Sequence, residues 1–223
     1  MKRRCLMCLA ATTAAGVLLV ACSASGPATP QDKMSFFVIS TKPGKGADLG
    51  GLEGADRVCQ NLAASGGAGG RTWRAYLSTI ATPSSPAVNA RDRIGNGPWY
   101  NVKGQLIASN LDELHGTNNI SKQTALTEKG EVVSGRGDLV VVHDMLTGSS
   151  PDGRAINDGQ DHTCRNWTSS TDGSAMVGHH DRNGTNNPPA SMSWNSSHGT
   201  PGCSPDALKK VGGGGLFYCF AQK

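Results

Sequence analysis

The sequence predicts one domain of mixed helix and strand, held together by disulfide bonds and preceded by an export signal. Three observations support this prediction: helix and strand patterns alternate early in the chain, an apolar strand pattern closes it, and four cysteines remain beyond the signal. The 223 residues include 30 glycines and only 5% aromatic residues. A chain with such a weak core commonly relies on disulfides in an oxidising compartment.

The first 21 residues have the pattern of a secretory signal. Basic residues at positions 2–4 precede an apolar run from Leu6 to Val20, which is shorter than the roughly 20 residues that a membrane-spanning helix needs. Cys22 directly follows Ala21, as in the lipobox of bacterial lipoproteins. We therefore expect cleavage after residue 21 and lipidation of Cys22. The alternatives are an ordinary cleaved signal and an uncleaved anchor.

The residues after Cys22 predict a flexible tether. Positions 22–33 are small, polar and contain proline, which suits a segment that lifts a domain away from a membrane. Ser23 stands where an aspartate would retain a Gram-negative lipoprotein at the inner membrane, so we expect an outer-membrane lipoprotein. The folded domain is then expected over residues 34–223, a usual size for one domain.

The charge of the chain argues against nucleic acid as a partner. The formal net charge is +4, with 21 basic and 17 acidic residues. Removal of the signal takes three basic residues with it, which leaves 18 against 17 and a net charge of +1. A nucleic-acid-binding surface calls for a basic patch that this balance does not suggest.

The first part of the domain predicts a strand, a helix and a second strand. Ser35–Ser40 is a short apolar run typical of a strand. Between Gly51 and Ala64, apolar residues recur every three or four positions, which predicts a helix with one buried face. The glycines of residues 66–70 end this helix. Thr72–Ser78 alternates well enough for the second strand.

The rest of the domain predicts short strands among long loops. Trp99–Val102 and Leu106–Ala108 are expected as short strands or loops, and the β-branched run Leu139–Val142 as a buried strand. Residues 147–205 are mostly polar, glycine or proline, yet they contain two tryptophans and two cysteines, so we expect ordered loops there. A final strand is expected over Gly215–Ala221.

The seven cysteines leave an even number for pairing. Cys5 and Cys8 leave with the signal and Cys22 is expected to carry lipid. The remaining four are Cys59, Cys164, Cys203 and Cys219. Four cysteines allow three pairings, and the residues alone do not choose among them.

Two segments at the ends of the domain resemble endostatin-like domains. Gly50–Gln60 followed by Gly69–Ser78 is similar to the opening helix and strand of that family. Thr147–Arg154 precedes Cys164 and Trp167 in the family's order. Cys203 and the terminal Phe217-Tyr218-Cys219 then follow at similar spacings, so the resemblance covers most of the expected domain.

The resemblance implies an α+β domain of C-type-lectin-like fold, as in endostatin, with long loops. It also implies two nested disulfides, Cys59–Cys219 and Cys164–Cys203. The first would join the opening helix to the last strand, and the second would close the polar loop region.

Two short motifs correspond to the calcium-binding positions of sugar-binding C-type lectins. Ser150-Pro151-Asp152 stands in place of a Glu-Pro-Asn loop, and Trp194-Asn195-Ser196 in place of a Trp-Asn-Asp triplet. Serines replace two carboxylates, and a hard cation needs several oxygen ligands at once. We therefore expect these segments to form a turn and a core tryptophan, not a calcium site.

A group of histidines lies in the polar region. It comprises Asp161-His162, His179-His180-Asp181 and His198. Imidazole and carboxylate suit zinc and related ions, so one of these histidines with Asp161 or Asp181 could bind a metal. Because adjacent residues of a strand point to opposite faces, His179 and His180 are not expected to share an ion. We expect no metal or other cofactor, with zinc or calcium as the alternative.

A catalytic arrangement is not expected. His143-Asp144 could be combined with Ser149 or Ser150, but the chain has no Gly-x-Ser-x-Gly nucleophile elbow. A chain rich in serine and aspartate offers such combinations by chance, so we expect a protein that is not an enzyme.

The sequence therefore predicts a lipid-anchored envelope protein whose lectin-like domain binds an extracellular ligand, and we expect that ligand to be a glycan. Lectin-like domains present ligands on long polar loops. The expected ligand-binding residues are Trp167, His179, His180, Asp181, Asn195 and His198. The alternatives are a structural or protein-binding envelope lipoprotein and, less favoured, a hydrolase.

Overall fold

A computed structural model describes residues 33–42, 44–184 and 188–222. The expected signal peptide over residues 1–21, the lipidated Cys22 and the tether up to residue 32 lie outside the described residues. Within the described ranges, no helix has both the length and the apolar character required to cross a bilayer.

The described part of the chain is an α+β domain with few helices. The α-helices are α1 (Gly51–Ser65), α2 (Leu111–His115) and α3 (Pro205–Lys210). The strands are β1 (Phe36–Val38), β2 (Trp73–Ala75), β3 (Trp99–Tyr100), β4 (Leu106–Ala108), β5 (Asp144–Leu146), β6 (Met176–His179), β7 (His198–Gly199) and β8 (Gly213–Ala221). The expected opening strand, helix and second strand are thus present, as is the final strand.

The main sheet is built around its last strand. Its order is β1-β8-β5-β6-β7, and β2 also pairs with β8. Strand β8 runs antiparallel to β1 and β2 and parallel to β5. Strands β3 and β4 form a separate two-stranded sheet. The long polar region therefore contributes β6 and β7 to the edge of a sheet whose centre is β8.

Helix α1 is fixed to β2 by a buried carboxylate. Asp56 accepts hydrogen bonds from Arg93 Nη2 at 2.7 Å and from Arg74 Nη1 at 2.8 Å. It also accepts the backbone N–H of Ala75 at 2.9 Å. A buried charge is costly unless it is paired and hydrogen-bonded, and here both conditions are met. The apolar face of α1 buries Cys59, whose sulfur reaches β8.

The few aromatic residues are concentrated in the core between the strands β1, β2, β3 and β8. Phe36 and Tyr218 have ring centroids 5.8 Å apart, and Phe37 lies 4.9 Å from Trp73. Phe220 also contacts Trp99 edge to face at 5.5 Å. All these rings are at most 1% exposed. Concentration in one core lets a chain of low aromatic content bury a continuous apolar centre.

Two disulfides join Cys59 to Cys219 and Cys164 to Cys203, with Cα–Cα distances of 5.5 and 5.8 Å. These are the pairs that the resemblance implies. The first joins α1 to β8, and the second closes a 39-residue separation within the polar region.

The prediction of a buried strand over Leu139–Val142 is wrong. The segment lies outside the strands, and Leu139 and Val140 are 103% and 61% exposed. The neighbouring strand begins only at Asp144. Branched aliphatic residues favour a strand where a second layer covers them, and this segment lies beyond the end of the sheet.

Candidate functional site

Three neighbouring strands bring a carboxylate and two imidazoles to one face of the sheet. Asp144 begins β5 and pairs directly with His179 at the end of β6. His198 begins β7 and pairs with Val177, two residues before His179. Directly opposed residues, and residues two apart, share a face of a sheet. Asp144, His179 and His198 therefore project to the same side.

His143 completes this group from the position before β5. His143 precedes the first residue of β5 and lies outside the strand, so the alternation of side chains along a strand does not apply to His143 and Asp144. The His143 ring stacks on that of His179, with centroids 4.2 Å apart and planes 13° from parallel. We call His143, Asp144, His179 and His198 the histidine–aspartate cluster.

The nitrogens of the cluster converge on one carboxylate oxygen. Oδ1 of Asp144 lies 3.2 Å from His143 Nε2, 3.3 Å from His179 Nε2 and 3.7 Å from His198 Nε2. The ligand atoms of His143, Asp144 and His179 all lie within 4.8 Å of one another. His198 is slightly further out. His198 is the fourth member of the cluster, and its contact with the group is the one between its Nε2 and Asp144 Oδ1.

The outer nitrogen of each ring faces an acceptor. His143 Nδ1 lies 3.1 Å from Asp181 Oδ1, His179 Nδ1 lies 2.7 Å from Ser191 O, and His198 Nδ1 lies 3.2 Å from Gly199 O. Since carboxylate and carbonyl oxygens only accept, each Nδ1 carries the proton and donates it. In the neutral form of such a ring, Nε2 carries the lone pair and faces the interior of the cluster. Outer partners of this kind orient histidines that ligate metals.

The centre of the cluster is buried and incompletely hydrogen-bonded. Asp144 is 1% exposed, and His143 and His179 are each 4% exposed. Both carboxylate oxygens of Asp144 and Nε2 of His179 have no hydrogen-bond partner, because the short approaches between them lack hydrogen-bond geometry. Buried polar atoms are rarely left in this condition, and an ion is one reason for it.

The electrostatics keep Asp144 ionised. Burial raises the pKa of the Asp144 carboxyl, but the neighbouring His179 and His198 outweigh burial and hold the pKa below its ordinary value. Asp144 in turn raises the pKa of His198, against the opposing effect of burial. Asp181 is also held as a carboxylate, because its bonds to His143 and to the backbone of Arg136 outweigh burial and lower its pKa to about 2.

The other residues expected to bind ligand lie deeper in the domain. Trp167 is fully buried and donates its indole N–H to Ser78 O at 2.8 Å. It ends a left-handed turn, Cys164–Trp167, whose φ angles are all positive. His180 is buried between the carbonyls of His143 and Val133, and burial lowers its pKa. These two side chains support the loops and offer no surface to a sugar.

Asn195 joins the two segments that stand in place of the calcium motifs. It is 1% exposed, and its amide nitrogen lies within 3.2 Å of Ser150 O, Pro151 O and Tyr76 Oη. Trp194 is 3% exposed and packs on the Tyr76 ring. The Asn195 amide thus donates to the carbonyl oxygens of Ser150 and Pro151, which would otherwise be available to bind a cation. Among the described residues, the histidine–aspartate cluster contains the grouping of three metal-binding side chains.

The catalytic combination of His143 with a serine does not form in this structure. Both ring nitrogens of His143 face carboxylates, those of Asp144 and Asp181. Ser149 Oγ instead contacts Ser78 Oγ at 2.8 Å and Thr147 O at 3.0 Å. The remaining histidine of the polar region, His162, pairs with Asp158 at 2.9 Å, and Asp161 accepts the N–H groups of Thr163 and Arg165.

All four members of the cluster are candidate functional residues in the sequence, but the sequence alone does not predict that they form one site. His179 and His198 were expected to bind ligand, whereas His143 and Asp144 were considered only for nucleophilic catalysis. The contact between them depends on the pairing of β5 with β6 and of β6 with β7. No local spacing encodes those pairings. The sequence feature that indicates the site is the adjacent pair His143-Asp144 at the start of the short buried strand β5.

Comparisons with known proteins add no assignment. No model of a protein family and no curated protein matches this chain.

Proposed function

We propose that this protein is a non-catalytic, envelope-anchored binding domain whose polar loops are held in place by a divalent transition-metal ion, zinc being the best fit. One observation carries the metal centre. The buried carboxylate of Asp144 has no hydrogen-bond partner, yet three imidazole Nε2 atoms approach its Oδ1 within 3.7 Å.

The distances match a tetrahedral ion. Ligand atoms held about 2.0–2.1 Å from a tetrahedral zinc lie roughly 3.3 Å from one another. The separations of 3.2, 3.3 and 3.7 Å from Asp144 Oδ1 to the three nitrogens are close to this value. The two shorter separations are within hydrogen-bonding distance, yet Asp144 Oδ1 and His179 Nε2 have no hydrogen-bond partner, so their contact lacks the alignment of a hydrogen bond. The geometry therefore suits atoms that share an ion better than atoms that share a proton.

The ligand set selects the type of ion. Three neutral imidazoles with one carboxylate are typical of zinc and its neighbours in the transition series. Calcium prefers six to eight oxygen ligands, and the cluster supplies the two oxygens of Asp144. Asp181 and the carbonyls of Ser191 and Gly199 would orient the three rings from outside.

A structural ion fits this site better than a catalytic one. His198 Nε2 lies 3.7 Å from Asp144 Oδ1, outside the group of three side chains whose ligand atoms are within 4.8 Å of one another, and it would supply the fourth ligand of a closed tetrahedral site. A catalytic zinc instead keeps a position open for water or substrate. The His198 side chain, 36% exposed, is the side of the cluster nearest to solvent. An ion here would tie β5, β6 and β7 together at the edge of the sheet, and β6 and β7 lie within the loop that Cys164–Cys203 closes. This supports a binding domain and not an enzyme.

The ligand that we propose for the domain is an extracellular glycan, bound on the loops of residues 147–205 in a C-type-lectin-like, endostatin-like fold. The observed α+β architecture and the two disulfides are consistent with that fold. The lipid anchor at Cys22 and the outer-membrane location belong to the same proposal. A structural or protein-binding lipoprotein is the alternative.

The metal centre is tested by zinc binding to the purified chain after removal of metal. We expect one zinc per chain, measured by mass spectrometry of the metal content and by competition with a chromophoric chelator. Zinc at 100 times its dissociation constant should stabilise the fold by about 2.7 kcal/mol. Asp144→Asn should weaken binding by more than the roughly 10- to 100-fold that loss of an outer partner costs.

His162→Gln is the matched control, because it removes a histidine paired with Asp158 outside the cluster. It should bind zinc as the original chain does. Circular dichroism establishes that both variants are folded. A chain that binds no zinc, or an Asp144→Asn variant with unchanged affinity, would show that the cluster is an ion pair between Asp144 and a protonated His198.

The glycan proposal is tested on a glycan array with the zinc-loaded protein. We expect retained sugars, and weaker retention after chelation because the loops lose the ion that holds them. Pull-down from envelope extract is the parallel measurement. A protein partner with no retained sugar would favour the protein-binding alternative and leave the metal centre unaffected.

A further inference from the structure

An exposed aliphatic loop projects beside a basic groove. Leu139, Val140 and Val141 are consecutive, and their exposures are 103%, 61% and 37%. Runs of three exposed apolar residues are rare in soluble proteins and usually mark a contact surface. We call Leu139, Val140 and Val141 the aliphatic loop. It has no role in the proposed metal centre or in the glycan-binding loops.

The aliphatic loop is held at both ends by charged groups. Asp138 accepts from Lys122 Nζ at 2.6 Å and from Gly135 N at 2.8 Å. Asp181 accepts the backbone N–H of Arg136, before the loop, at 2.6 Å, and faces Nδ1 of His143, after the loop, at 3.1 Å. One carboxylate thus fixes residues before and after the loop. The three aliphatic side chains are displayed in a defined position.

Basic side chains surround the aliphatic loop. The loop forms one wall of a cavity of about 960 Å³, and the end of α3 forms another wall. The charged residues that line this cavity are Lys42, Arg136, Lys209, Lys210 and Asp206. Four cations against one acid give this face a positive charge in a chain that is otherwise almost balanced. All five are exposed.

The composition of this face points to lipid and not to protein. Protein interfaces are enriched in tryptophan, tyrosine and arginine and depleted in lysine. This face has no aromatic residue among those that line the cavity, and three of its four cations are lysines. Aliphatic side chains inserted beneath a ring of lysines are the pattern of interfacial attachment to anionic membranes.

We propose that the aliphatic loop and its basic surround dock the domain onto a bilayer that contains anionic phospholipids. Leu139 and its neighbours enter the interface between headgroups and acyl chains. Lys42, Arg136, Lys209 and Lys210 contact the phosphates. Attachment at this face would set the orientation of the domain on the membrane.

The test is partition onto vesicles by co-sedimentation, with the full chain carrying Cys22→Ser so that no acyl chain at residue 22 contributes. Vesicles of phosphatidylcholine are compared with vesicles that contain phosphatidylglycerol as well. We expect binding to the anionic vesicles that falls with salt, because each basic residue near an anionic surface strengthens attachment about fivefold.

Leu139→Asp should lower the partition constant at least about tenfold, since transfer of a leucine side chain out of water contributes that much. Val132→Asp is the matched control: Val132 is 55% exposed, lies outside the groove and receives the same new charge. Lys209→Gln with Lys210→Gln should also weaken binding. Lys103→Gln with Lys129→Gln, two exposed lysines outside the groove, should change it little.

A second readout places the loop itself. A fluorophore sensitive to polarity at Leu139→Cys should report an apolar environment on anionic vesicles, and the same label at the exposed Ser84→Cys should not. Equal partition of Leu139→Asp and Val132→Asp would overturn the proposal. So would a concentration-dependent dimer in sedimentation velocity that Leu139→Asp abolishes, because the face would then join two copies of the chain.

Discussion

At the scale of single residues, His115 shows how a buried polar network fixes one protonation state. Its Nδ1 donates to Leu111 O at 2.8 Å, so its Nε2 must accept from the Tyr76 hydroxyl, also at 2.8 Å. The same hydroxyl oxygen accepts from the Asn195 amide at 3.0 Å. Burial lowers the pKa of His115, which keeps the ring neutral. The Nδ1 proton of His115 and the hydroxyl proton of Tyr76 thus each have an assigned acceptor.

Protonation of His115 should therefore destabilise the fold. The folded pKa lies below the unfolded value of about 6.5, so the contribution is fully present above that value and is lost as pH falls through the folded pKa. The slope from this residue is at most about 1.4 kcal/mol per pH unit. His115→Gln should have a smaller loss of unfolding free energy between pH 7.5 and 5.5 in urea denaturation. An unchanged pH dependence would assign the loss to other groups.

At the scale of elements, β6 is sandwiched between strand β5 and the segment that follows Ser193. His179 N donates to Ser193 O at 2.8 Å, and Ser197 N donates to Val177 O at 2.6 Å. Tyr218 of β8 fixes the same segment by donating to Trp194 O at 2.8 Å. The backbone crosses directly over Gly178, which leaves no room for a side chain there.

Gly178→Ala is expected to be strongly destabilising. A Cβ at this position would lie 1.9 Å from Trp194 O and 2.3 Å from Asn195 N. Both neighbours are backbone atoms, so the segment must move, at a cost of roughly 3 kcal/mol or more in urea denaturation. Zinc affinity should fall as well, because His179 follows directly.

Gly70→Ala is the matched control for that substitution. A Cβ at Gly70 meets nothing within 4 Å, so the change should stay within about 0.5 kcal/mol. Equal stability of the two variants would mean that the segment over β6 is able to shift freely.

The elements that the sequence predicted are those whose signal is local. The helix over Gly51–Ser65 follows from apolar spacing, and β1 and β8 follow from compact apolar runs between turn residues. Leu139–Val142 carries the same strand signal, but in the part of the chain that the structure describes Leu139, Val140 and Val141 are exposed. Propensity alone could not separate a buried strand from an exposed loop, because burial is decided by residues distant in the chain.

The candidate site could not be predicted from local sequence patterns for the same reason. Asp144 meets His179 through strand pairing, and His198 joins through a second pairing. Sequence alternation did indicate that His179 and His180 face opposite ways, and their contacts differ accordingly. Which of the two turns toward Asp144 depends on the register of β5 with β6. A slip by one residue would exchange them.

At the scale of the whole molecule, two disulfides and one strand connect distant parts of the chain. Cys59–Cys219 spans 160 residues and Cys164–Cys203 spans 39. On the chain-entropy estimate, closing loops of these lengths contributes about 5 and about 4 kcal/mol. The proposed ion acts on β5–β7, at the opposite edge of the sheet from β1. Because β6 and β7 lie between Cys164 and Cys203 in the chain, the proposed ion and this disulfide would stabilise the same region, whereas Cys59–Cys219 stabilises a different one.

The position of β8 dictates when this architecture can assemble. Residues 213–221 supply pairing partners for β1, β2 and β5, yet they are made after all three. During synthesis from the N-terminus, β1, β2 and β5 therefore lack these backbone hydrogen-bond partners until β8 has been made. Loss of only those nine residues would leave β1, β2 and β5 without a pairing partner and the thiol of Cys59 without its disulfide, so the truncated chain would be open to proteolysis.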